Sequence, residues 1–140
     1  MNALADDLAA ETADLRDLLL PLSDADWRRS TPAEGWCIGD QVSHLAYFDD
    51  VAVQAATDAD GFLAELARLN ADGGVNPDSI ATRYHEMSGE ELLAWLDQAR
   101  SRLLAVYSSL DPSTRVPWFG PPMSAASSLT ARLMETWAHG

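Results

Sequence analysis

The tightest constraint on how this chain can fold is its hydrophobic period. Behind Ser88 and Glu91, which have the spacing of a capping box, Leu92, Leu96, Ala99, Leu103, Val106 and Leu110 follow in 4-3-4-3-4 steps. That spacing lays one apolar stripe along a helix. Leu4, Leu8, Leu15, Leu19 and Leu22 do the same for a first helix from about Ala3 to Leu20, ended by Pro21. Ile38, Val42, Leu45, Ala52 and Ala56 mark the core side of another, from near Ile38 to about Ala56. A last helix is expected from about Ser124 onward. No strand-like alternation, internal repeat or low-complexity tract interrupts the pattern. Four principal helices, each with a stripe to bury, predict an all-α four-helix bundle.

Between these helices the reading is of connectors. Ser23 to Trp27 forms a short capped turn, and Thr31 to Gly35 a loop. Asp58 to Asn70 forms a further short helix, stopped by Asp72-Gly73-Gly74. A connecting segment carries Arg83, Tyr84 and His85, and Val116 to Pro122 is a Pro-rich loop. The apolar pattern is still running at Trp137-Ala138-His139 when the sequence reaches Gly140. The last helix is therefore expected to be cut short, as in a fragment or the first domain of something longer.

Composition narrows the function. The 140 residues suffice for a single domain spanning 1–140. A net charge of −13, with every one of the 9 basic residues an Arg, argues against a sequence-independent grip on nucleic acid. No apolar run approaches the roughly 18 residues of a membrane span, and Met1 to Asp7 lacks the features of a secretory signal. A cytoplasmic protein without membrane partners is expected. One cysteine, Cys37, rules out an intrachain disulfide and a thiolate cluster. A metal site is then expected to rest on histidine and carboxylate.

Such a site can be assembled. Glu135 and His139 are four apart, one turn apart on one helix face. His44 shares the face of its helix with Cys37, Gln41, Phe48 and Val51. Two facing helices could supply a His-Glu-His triad, and three protein ligands leave a coordination position open, as in catalytic zinc sites. Nickel, iron or manganese would accept the same ligands.

The stretch Gly35-Trp36-Cys37-Ile38-Gly39-Asp40-Gln41-Val42-Ser43-His44-Leu45 resembles the second-helix signature of the DinB-like, mycothiol-dependent maleylpyruvate isomerase superfamily. Arg132 to Gly140 resembles its last-helix signature, in which a Glu and a His four apart ligate the metal. Val116 to Ser124 is similar to an uncharacterised metal-binding subgroup. The resemblance covers the whole chain as the family's N-terminal domain and implies a DinB-like bundle without the family's second, C-terminal domain. It implies His44, Glu135 and His139 as ligands of one divalent ion, zinc foremost and nickel the alternative. It also implies a low-molecular-weight thiol such as mycothiol, and a small-molecule substrate. The expected activity is that of a metal-dependent thiol transferase or cis-trans isomerase, with the catalytic residues unassigned. The alternative is a non-catalytic metal-binding or association module, and a homodimer is compatible with either.

Other residues take lesser roles. Arg83 is the one candidate contact for an anionic substrate or thiol cofactor, set against a plain solvated face. His85 is expected at the surface and Cys37 as a buried small side chain. Arg132, one turn before Glu135, is expected to orient that carboxylate. Trp36, Trp118 and Trp137 are expected as core or loop anchors. Asp40 could cap its helix or bond the His44 imidazole, the cap being preferred.

Overall fold

Capping chemistry sets where the helices begin. In the computed structural model, which describes residues 1–140, Ser88 Oγ accepts the Glu91 N–H at 3.1 Å while the Glu91 carboxylate accepts the Ser88 N–H at 3.2 Å. This box opens α6 (Gly89–Ser108). The remaining helices are α1 (Asn2–Leu19), α2 (Asp24–Trp27), α3 (Ile38–Thr57), α4 (Ala59–Ala71), α5 (Pro77–Tyr84) and α7 (Ala125–His139). Ser23 and Asp26 cap α2 reciprocally, and Ser124 Oγ accepts the Ser127 N–H at 3.1 Å to open α7. Gly89 has a packing reason: a Cβ there would run into the Trp27 indole, which lies buried against the start of α6.

Four long helices form the bundle. α3 packs on α6 and α7, and α1 packs on the same two, so α1 and α3 stand diagonally opposed. One end of the core holds Leu15, Leu19, Trp27, Val42, Leu45, Leu92 and Leu96; the other holds Leu8, Ala52, Val53, Leu103, Tyr107 and Leu129. Each fully buried Leu contributes about 1.5–3 kcal/mol of burial free energy. No helix is long and apolar enough to cross a membrane.

Charges occupy the centre of this packing. The fully buried Asp49 of α3 accepts from Arg100 Nε at 2.5 Å and Nη2 at 3.2 Å, and pairs with Arg132 Nε of α7 at 3.3 Å. Arg100 Nη1 donates to Thr12 and Thr136, each at 2.9 Å. All four bundle helices thus share one polar knot.

Two expectations about connectors are corrected. The segment with Arg83 and Tyr84 is helical: Asn76 caps α5, Pro77 occupies its first turn, and Ile80 and Ala81 are buried. The Pro-rich stretch contains a two-residue antiparallel ladder, β1 (Arg115–Val116) and β2 (Met123–Ser124), too short to carry a period. Its turn carries Trp118 and Phe119 onto Phe48 and Phe62, with Trp118 stacked on Phe62 at 6.1 Å.

Candidate metal centre

α3 and α7 face each other so that His44, Glu135 and His139 meet. One ligand-type atom from each lies within 4.8 Å of the others. Glu135 Oε2 is 3.3 Å from His44 Nε2 and 2.9 Å from His139 Nε2. Ligands bonded to one tetrahedral ion at about 2.0–2.2 Å are separated by ~3.3 Å, so these spacings suit a shared ion. The His44 side chain is 13 % exposed, His139 26 % and Glu135 42 %, which leaves the carboxylate side open.

A relay of hydrogen bonds decides which nitrogen of His139 carries its proton. The Trp36 carbonyl can only accept, so the Thr31 hydroxyl donates to it at 2.9 Å. Thr31 Oγ1 then accepts from Gln41 Nε2 at 3.0 Å, which turns Gln41 Oε1 toward His139 Nδ1. Nδ1 must donate there. A neutral His139 therefore presents a bare Nε2 lone pair to the Glu135 carboxylate at 2.9 Å. Two acceptors at that distance need a cation between them, a proton or a metal ion. The residues present fit a divalent ion by this test. His44 lacks such a tether, for its Nδ1 is buried without a protein partner.

Aromatic rings wall the site. The Trp36 ring lies 5.3 Å from the His44 ring and stacks on His139 at 6.2 Å, while Phe48 lies 4.9 Å from His44. Burial pushes the His44 imidazole below its ordinary pKa, and the nearby His139 adds to the fall while Glu135 acts against it. A neutral imidazole is the form that binds a metal.

The other predicted residues lie elsewhere. Arg83 stands over the Tyr84 ring at 5.8 Å on α5 and makes no contact with the triad. Arg132 turns from Glu135 to the buried Asp49, because a desolvated guanidinium goes to the carboxylate that shares its burial. Trp137 is 76 % exposed and anchors nothing. Trp36 is a wall of the site as well as a loop anchor. Asp40 caps α3, and the imidazole it meets is that of His85. Gln41 received no role from its sequence position, since the His139 it orients lies 98 residues away.

Residues 8–140 match the family model described as the mycothiol maleylpyruvate isomerase N-terminal domain. An uncharacterized protein of Mycobacterium tuberculosis, present in two strains, is 43% identical over 134 residues, which is 96% of this chain and 52% of that protein. The chain thus spans about half the length of the curated relatives it matches. Crystal structures of the mycothiol-dependent maleylpyruvate isomerase and of a histidine-to-alanine mutant of it superpose with TM-scores of 0.73 and 0.74 at 15% identity, covering 99% of this chain and 58% of theirs. A DinB-family structure from Exiguobacterium sibiricum 255-15 superposes with a TM-score of 0.62 at 20% identity, covering 99% of this chain and 82% of that one. The fold is accordingly a DinB-like four-helix bundle, and the chain belongs to the mycothiol maleylpyruvate isomerase N-terminal domain family.

Proposed function

We propose that this chain is a divalent-metal-binding domain that serves thiol-dependent chemistry on a small molecule, as an isomerase or an S-transferase. The observation that carries the reading is the pair of facing acceptors, His139 Nε2 and Glu135 Oε2, held at 2.9 Å with the His139 tautomer set by Gln41. In this reading His44, Glu135 and His139 hold one ion, zinc foremost. Bound there, the ion would supply the positive charge that lowers the pKa of a coordinating thiol. The protein's own part is to present the ligands, to fix His139, and to shield one side with Trp36 and Phe48. The partially exposed Glu135 side is where a thiol such as mycothiol would enter. The name of the related isomerase supports the thiol and the small-molecule substrate.

A second reading, a metal-binding or association module without turnover, draws on Met134 and Trp137, which are 65 % and 76 % exposed on α7. Elemental analysis of protein purified without a metal-affinity tag tests the first reading. The triad is expected to account for about one equivalent of a divalent ion, lost in His44→Ala. Native protein that takes up no metal even when supplied with zinc would overturn the centre and leave the association reading.

A further inference from the structure

A second group of ligand-type side chains lies across Trp36 from the triad. Cys37, Asp40 and His85 each bring one such atom to within 4.8 Å of the others. They come from separate parts of the fold. Cys37 and Asp40 are the N-cap and third residue of α3, and His85 is the C-cap of α5. Arg28 Nη1 donates to the His85 carbonyl at 2.7 Å and ties that end of α5 beside α2.

Asp40 divides its two oxygens. Oδ2 accepts the Cys37 N–H at 2.9 Å, while Oδ1 faces His85 Nδ1 at 3.1 Å. That second spacing is close to the ~3.3 Å edge between ligands of a tetrahedral ion. Beside it lies a cavity of about 420 Å³, whose lining includes Asp40 and His85 together with the carboxylates of Glu34, Asp78 and Glu86. Capping alone does not account for the group. A cap needs one carboxylate oxygen and favours Ser or Thr over Cys at the first position, and it has no use for a histidine from another helix. A nucleophilic thiol does not account for it either, because Cys37 is buried and does not line the cavity.

We infer that Cys37, Asp40 and His85 form a second cation site, for a thiophilic divalent ion of the zinc class, separate from the His44–Glu135–His139 centre. Sulfur, nitrogen and oxygen ligands together select that class over magnesium or calcium. Binding releases the thiol proton to solvent and replaces the His85–Asp40 hydrogen bond with two bonds to the ion. The cavity supplies the remaining position. Trp36 stands between the two sites, its ring against His44 and His139 and its Nε1 donating to Asp78 at 2.8 Å.

Cobalt(II) titration of the full chain tests this, because only a thiolate ligand gives an intense sulfur-to-cobalt charge-transfer band in the near ultraviolet. The band is expected in native protein, retained in His44→Ala, weakened in His85→Ala and abolished in Cys37→Ser, with loss of about one equivalent of bound cobalt. Serine is the stronger helix cap, so α3 keeps its start in that variant. No band at saturating cobalt, or Cys37→Ser binding as much cobalt as native protein, would overturn the site. One equivalent without the band, lost in His44→Ala, removes this inference and leaves the triad. A band with stoichiometry indifferent to His44→Ala does the reverse.

Discussion

Gln41 shows how one neutral side chain can govern a charged site. Its oxygen holds the proton on His139 Nδ1, and its nitrogen is in turn held by Thr31. Gln41→Leu removes the acceptor, and zinc affinity measured by competition with a chromophoric chelator is expected to fall about 10–100-fold. Gln41→Glu keeps an oxygen toward Nδ1 and should bind within a few-fold of native. Equal affinity in the Leu variant, with helicity unchanged, would mean that the relay does not position His139. That His44, Glu135 and His139 meet was legible in the sequence, from the one-turn spacing of Glu135 and His139 and from the family resemblance that set them beside His44. Gln41 was not readable, since nothing local ties it to a partner 98 residues away. Asp40 was half readable: its capping position is a matter of spacing, but its bond to His85 depends on how α5 docks.

At the scale of elements, the bundle is held in register by the ion pairs around Asp49. Removing that carboxylate leaves two buried guanidiniums uncompensated, so Asp49→Ala should destabilise the fold by about 3–5 kcal/mol. Urea unfolding should show this as a lower midpoint at similar slope; a change within about 0.5 kcal/mol would mean that Arg100 and Arg132 find other partners. The long helices were legible because stripes and caps are local signals. α5 was not, since its short apolar face becomes meaningful only once Ile80 and Ala81 are buried. Arg132 and Trp137 went astray for a common reason. The inner face of α7 carries Ala125, Leu129, Arg132 and Thr136. Trp137, the residue after Thr136, is turned about 100° from that face, and Arg132 points inward to Asp49 and away from Glu135.

For the whole molecule, a metal ion held by the proposed triad would link binding to stability. Zinc at about 100 times its dissociation constant adds ~2.7 kcal/mol to a fold that alone binds it. Burial holds the His44 pKa below its ordinary 6.5, so the unfolded chain takes up this proton first. The associated stability is complete above that value and declines as pH falls through 6.5 toward the lower folded pKa. Protons and zinc also compete for the same imidazole lone pairs, so the zinc-induced rise in Tm should shrink over the same window. Thermal melts with zinc and with chelator, from about pH 8 to pH 5, will show it; a rise that does not depend on pH would place the ion away from histidine. The separation of 91 positions from His44 to Glu135 has a further consequence. A chain made from its N-terminus exposes α3 to α6 well before the second ligand exists, so none of those partial products can capture an ion between the two helices. Loading of the triad would then date from the arrival of α7, and nascent chains that stall before it would hold no ion at that centre.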